Sequence, residues 1–206
     1  MAIPNHFDRG KPFYPLVTNY LLLLAGWKEI AGSRLPGIRR TLSFDPEQFD
    51  VSDAAKLAEL KSGIAKALGP LELKCESHPT RISIDIDLLA SEVATNSGYL
   101  ASFLMRAAGA LLVLAHEGAK EEPYHDTGEL WEFLRHCRNA AAHGGRFTFV
   151  GPEPRRQARW SSLEIARSLE GIPLFKNDQG IGYLSPGDPI RLLWDIEQAY
   201  PKMAAT

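Results

Sequence analysis

The chain is poor in sulfur. Two cysteines, Cys75 and Cys137, among 206 residues exclude a disulfide-stapled scaffold and make a reducing cytoplasm the default expectation. Long apolar runs are missing too: "LLLLAGW" after Tyr20 falls far short of the roughly 20 residues that cross a bilayer. The opening "MAIPNHFDRGKPFYP" carries charges and prolines where an export signal needs an apolar stretch. There is no glycine-rich phosphate loop, since "NDQGIGYLSPG" lacks both the spacing and the strand-to-helix setting of one. Neither a G-x-S-x-G elbow nor a paired-carboxylate constellation emerges, and there is no internal repeat or low-complexity tract. What remains is a folded, soluble, cytoplasmic protein with no membrane association and no expected cofactor. Its 45% hydrophobic and 23% charged residues can bury a core without crosslinks.

Helical patterns dominate. Residues 13–31 read as a helix from about Pro15, with Gly32 past its end. In "VSDAAKLAELKSGIAKALGP", Leu57, Leu60, Ile64 and Leu68 line one face, Ser52 or Asp53 caps the start, and Gly69-Pro70 stops it. Ile82, Ile84 and Ile86 alternate as in a short strand or an extended lead-in. Leu88 to about Gly118 reads as one helix, apolar nearly all round in its later part, as in a central helix contacted on several sides. A further helix starts near Thr127 and turns Leu130, Phe133, Leu134 and Cys137 inward. Short segments punctuated by glycine and proline follow, with room for two strands. "IRLLWDIEQAYPKM" then closes the chain as an amphipathic helix. The expected class is mostly α, a helical bundle with a small β or irregular insertion before the last helix.

Charge is unevenly spread. Residues 131–160 hold six arginines (Arg135, Arg138, Arg146, Arg155, Arg156, Arg159) against Glu132 and Glu153, a local +4 that leaves −6 on the rest of a chain of net −2. Such a stretch is either a phosphate-facing surface or a solvated arginine-rich loop.

Inside it lies "RHCRNAAAHGG", residues 135–145. Alanine favours the helix and glycine ends it, so the backbone is accounted for. Arg138, Asn139 and His143 are not. At 100° per residue, Asn139 and His143 share a face one turn apart, whereas Arg138 lies about 140° from His143. Helix finishing is one reading: a cation near the C-terminus and an i,i+4 pair each contribute a few tenths of a kcal/mol, roughly. Metal-free phosphodiester cleavage is the other. Imidazole moves protons near neutrality, guanidinium matches a phosphoryl group gaining charge, and the amide can hold the imidazole or a phosphate oxygen. One arginine and one histidine make a thin site, and a second copy of this helix across a two-fold axis would double it.

Here the residues resemble a known family. "RNAAAH" fits the R-x4-6-H signature of the HEPN superfamily, with a polar residue directly after the arginine as in many of its ribonucleases. The small-residue-rich helix before it, the glycine after the histidine and the late "GDPIRLLWDIEQ" helix are similar to HEPN. "RWSSLEI" followed by "GYLSPGDPIRLLWDIE" is similar to a bacterial and plasmid-borne HEPN-like branch. The likeness covers roughly residues 80–203, giving an expected division into an N-terminal helical region, 1–80, and a HEPN-like core, 81–206. It implies a homodimeric, metal-independent endoribonuclease: His143 in proton transfer, Arg138 on the scissile phosphate, Asn139 in support. Arg146, Arg155, Arg156 and Arg159 are the candidate RNA contacts. Members act as toxins or in phage defence, some beside a nucleotidyltransferase-like antitoxin, so RNA, a second copy and an antitoxin are the expected partners. Others are non-catalytic interaction or nucleotide- or RNA-binding modules, which is the alternative.

Other polar residues read more plainly. "CESH" at 75–78 with His136 and Cys137 can be drawn as a zinc set, but two close ligand pairs of proper spacing are missing, and no metal is expected. Cys137 suits the core, and His136 reads as a surface histidine. Trp160 and Trp194 read as core aromatics, although a tryptophan beside Arg155, Arg156 and Arg159 could stack on a base.

Overall fold

The computed structural model describes residues 7, 10–32, 71–77, 79–120, 125 and 127–200. Among them are five α-helices and two small antiparallel sheets, a mostly α protein. The elements are α1 (Tyr14–Gly32), β1 (Leu71–Leu73), β2 (Ile82–Ile84), α2 (Ile86–Thr95), α3 (Ser97–Gly118), α4 (Gly128–Ala142), β3 (Ala158–Trp160), β4 (Leu163–Ile165) and α5 (Asp188–Ala199). The helix expected over 51–68 lies outside the described residues. The chain forms two compact units, Met1–Gly26 with Gly98–Thr206 and Trp27–Ser97.

In the second unit, β1 and β2 pair with Leu71 opposite Ile84 and Leu73 opposite Ile82. The alternation that suggested a strand through Ile86 stops at Ile84, two residues earlier. Asp85 caps α2, its Oδ1 accepting the Leu88 N–H at 3.0 Å, so Ile86 opens the helix instead. The single helix expected from Leu88 to Gly118 is likewise broken, at Asn96. Thr95 Oγ1 donates back to the carbonyls of Ser91 and Glu92, and the Asn96 N–H reaches only to Val93, a tightened last turn that ends α2.

The first unit holds the core, built around α4. Trp131, Phe133, Leu134, Cys137 and Ala140 are all buried, with Phe13 just before α1, Val17 and Tyr20 of α1 and Leu192, Leu193 and Ile196 of α5 in the same cluster. Each fully buried large side chain contributes about 1.5–3 kcal/mol. Sheet β3–β4 lies over α4, where Phe133 meets Trp160 edge to face at 5.7 Å. Trp160 in turn donates from Nε1 to Asp195 Oδ2 at 2.9 Å, tying β3 to α5. The buried Glu197 of α5 accepts the Phe13 N–H at 3.2 Å and so fastens the start of α1.

Helix α3 is not the central helix its composition suggested. Ala108, Leu111, Leu112, Ala115 and Ala119 bury one stripe, but Ala110 is exposed and Leu114 is 54% exposed on another side. Over Gly98–Gly118 it is long and apolar enough to cross a membrane by length and composition, yet its buried stripe belongs to this core.

After α4 the backbone pairs with later segments. The Leu174 N–H donates to Gly145 O, Phe147 N–H to Ile172 O, and Leu184 N–H to Leu174 O. This packing leaves no space at Gly182, where a Cβ would fall 2.3 Å from the Phe175 carbonyl oxygen at φ +137°. Gly171 has φ +76° and open space around it. Gly182→Ala is therefore expected to cost about 3 kcal/mol or more and Gly171→Ala about 1 kcal/mol, read by urea unfolding.

Candidate active site

The end of α4 accounts for its glycines. Its last helical bond runs from the His143 N–H to the Asn139 carbonyl at 3.0 Å. Gly144 then turns to φ +84°, and the Gly145 N–H reaches back to the Ala140 carbonyl at 2.8 Å. This is a Schellman closure, which favours glycine just past the cap. His143 is the cap itself and is exposed. Nothing in this termination requires an arginine, an amide or an imidazole.

Arg138 is held from two sides. Its Nε–H donates to Glu117 Oε1 at 2.9 Å, an Nη2–H donates to the same oxygen, and an Nη1–H donates to Asn139 Oδ1 at 3.1 Å. Its side chain is 24% exposed. The amide therefore steadies the guanidinium, where the sequence suggested it would hold the imidazole or a phosphate oxygen. Glu117, at the end of α3, also pairs with Lys120. The Lys120 ammonium first and the Arg138 guanidinium next outweigh partial desolvation and hold its carboxyl down to about 2. No hydrogen bond or ion pair joins Arg138 to His143 among the described residues.

The basic segment divides. Arg135 donates to Glu132 Oε1 at 2.7 Å and to Glu153 Oε1 at 2.6 Å, and all three groups are largely shielded from water. The two acids of the segment are thus consumed internally. Arg146, Arg155, Arg156 and Arg159 remain exposed. Arg146 donates to the Gly171 carbonyl at 2.7 Å, the Arg155 N–H donates to Glu132 Oε1 at 2.8 Å, and Arg159 lies opposite Glu164 across β3–β4.

His136 is a correction: it is buried, its ring 5.2 Å from that of Phe149, and its Nε2 lies 3.2 Å from Glu132 Oε1. It sits on the Glu132 face of α4, which packs inward. Trp160 is buried too, and Trp194 is half-covered with the Arg191 guanidinium 4.2 Å above its ring. Cys137 is core, and among the described residues no group of three or more His, Cys, Asp or Glu side chains could hold a metal ion.

Sequence reasoning missed Glu117 altogether, because it lies 21 residues from Arg138 and nothing local links them. It also missed the Glu132–Arg135–His136 face. That one was detectable, since i,i+3 and i,i+4 spacing puts all three on one side of α4. His116 was missed as well. It is buried beside the site, its Nδ1 unbonded among the described residues and 3.6 Å from Glu117 Oε1, its ring 5.0 Å from that of His125.

Compared with protein-family models, curated proteins and solved structures, the chain matches none of them.

Acid should loosen this region. Burial first, then the charges of His125 and Arg138, lower the His116 pKa from 6.5 to about 4. A histidine lowered on folding binds its proton more readily when unfolded, so its contribution is complete above about pH 6.5 and lost as pH falls toward about 4. His136 shifts the same way, through burial and then Arg135. Glu132 acts lower: burial opposes its ionisation, but Arg135 and the Arg155 N–H prevail and hold it to about 2, so its contribution fades from about 4.5 downward. Unfolding free energy should drop between pH 7 and 5, and His116→Phe should shrink that drop by on the order of 1–2 kcal/mol. Urea titrations at the two pH values measure it.

Proposed function

We propose that the chain is a HEPN-type, metal-independent endoribonuclease acting in the cytoplasm as a homodimer, with Arg138 and His143 as its central pair and Asn139 in support. One observation carries the reading: an arginine fixed by Glu117 and Asn139 lies on the same helix as an exposed terminal imidazole, and helix termination needs neither. Cleavage of RNA by its own 2′-hydroxyl needs a proton taken from that oxygen, charge steadied on the phosphoryl group, and a proton delivered to the departing 5′-oxygen. A single His143 supplies one proton transfer, and the His143 of a second copy would supply the other. Three of the five N–H donors of Arg138 are engaged, and the other two are what a phosphate would meet. Exposed Arg146, Arg155, Arg156 and Arg159 would attract the RNA backbone at longer range. Such an activity suits a toxin or phage-defence protein restrained by a nucleotidyltransferase-like antitoxin.

A specific observation favours the second reading, a non-catalytic HEPN-like module that binds RNA, a nucleotide or a protein. The Arg138 charge is already matched by Glu117, whose pKa of about 2 keeps it ionised at any working pH. A guanidinium so matched attracts a phosphate less than a lone one would.

The two separate in one assay. Purified protein incubated with total RNA in EDTA should cleave it, and Arg138→Ala and His143→Ala should each lose about 10²–10⁴-fold. Mixing wild type with an excess of His143→Ala should suppress its cleavage, because a mixed dimer keeps only one of the two histidines the reaction needs. If folded, dimeric wild type leaves the RNA whole, the enzyme reading is lost for that pool and the binding module stands.

A further inference from the structure

A groove of about 690 Å³ opens between α3 and the chain that follows α4. Its walls include Ala110 and Leu114 on one side and Gly144 and Gly145 on the other, and Phe175 lies at its base. Gly109 of α3 also lines it, and a Cβ there would make ordinary contacts, 3.8 Å from the Phe175 ring and 3.4 Å from the Ala141 Cβ. The lining is mostly apolar. Among the described residues its one charged member is Arg106, exposed on α3, and no carboxylate lines it. His143 immediately precedes Gly144 and Arg146 immediately follows Gly145, so both adjoin this wall along the chain.

We propose that this groove is the base-binding subsite for a nucleotide of single-stranded RNA, with Arg106 on its phosphate. The inference rests on the reading of His143 as the residue that meets RNA, because the groove begins at the two residues after it. An apolar slot with a guanidinium, that of Arg106, in its lining matches a nucleotide, whose flat base seeks apolar contact while its phosphate seeks a guanidinium. The volume falls within the range of small-ligand pockets. A second copy of the chain fits less well. A two-fold contact sets the same patch against itself, and here that would oppose Arg106 to Arg106 with no lining acid among the described residues to separate them.

Fluorescence anisotropy with a labelled single-stranded RNA dodecamer tests this, using His143→Ala protein so that nothing is cut. Arg106→Gln should weaken binding about fivefold to tenfold and lower the slope of log affinity against log salt by about 1. Ala110→Phe, which fills the groove from an exposed position, should weaken binding comparably and leave the salt slope unchanged. Should Ala110→Phe unfold the chain by circular dichroism, Arg106→Gln alone decides. Unchanged affinity in the folded variants overturns the proposal. So does a changed mass by sedimentation, which would make the groove an interface between copies. Tighter binding of uridine or adenosine 5′-monophosphate than of the dodecamer overturns it in favour of a free-nucleotide site. Groove-dependent binding by a wild-type chain that cleaves nothing upholds the groove and sinks the nuclease reading. Cleavage by wild type with a dodecamer affinity indifferent to both substitutions sinks the groove alone.

Discussion

Helix α4 carries a carboxylate that no water reaches, and the arrangement around it follows from matching that charge. Glu132 is fully buried between Trp131 and Phe133, where an ionised group is costly unless it is paired and hydrogen-bonded. Arg135 supplies the opposite charge from the next turn, and the Arg155 N–H supplies a donor from the segment beyond the helix. Glu153 then uses the other arm of Arg135. To satisfy Glu132, the chain at 153–155 must lie against α4, which delivers β3 onto the same helix. Phe133 and Trp160 meet there, and Trp160 hands the connection to Asp195 of α5. A single buried charge thereby sets the course of the insertion over the helix. Breaking one partner would leave a charge stranded, so the network acts as a unit rather than as independent contacts.

The proposed site inherits its rigidity from that packing. Arg138 lies one turn beyond the buried network, on a helix whose neighbours hold it along most of its length, and its guanidinium is fixed again by Glu117 from α3. The two arginines differ in consequence. Arg135 is nearly enclosed and has a carboxylate on each arm, so its role is complete within the fold. Arg138 is part-exposed, with one carboxylate and one amide, and retains donors for something further. Sequence alone cannot tell these neighbours apart, since each is an arginine on the same helix in the same basic stretch.

What could be read from the sequence followed from local rules. Glycine after alanine announced the end of α4, Thr127 its start, and the apolar spacing the inward face of Phe133, Leu134 and Cys137. The mostly α class and the short strands before the last helix were legible for the same reason. The failures share a cause as well. The strand through Ile86 and the unbroken helix from Leu88 were pattern continuations overruled by one polar side chain each, Asp85 capping and Thr95 bonding backwards. His136 looked like a surface residue because its neighbours are arginine and cysteine, yet the helix turns it toward Glu132 and Phe149. Glu117 was invisible because its meaning comes from a helix 21 residues away. Periodicity reports which face is buried; it does not report which polar group meets which.

The glycines after α4 illustrate how one local solution serves two ends. Gly144 and Gly145 close the helix by a left-handed turn, and the same turn directs the chain so that the Gly145 carbonyl accepts the Leu174 N–H. That bond brings the 173–175 segment beneath α3 and forms the base of the groove. A side chain at either position would meet no neighbour within 4 Å, so space is not what calls for glycine. Backbone conformation is, with φ of +84° and +75° in succession. The terminator therefore does more than stop a helix. It sets His143 at a surface corner and turns the following residues into one wall of an apolar slot. The imidazole stands at that corner because of where the turn places it, and the chemistry proposed for it depends on the turn as much as on the side chain.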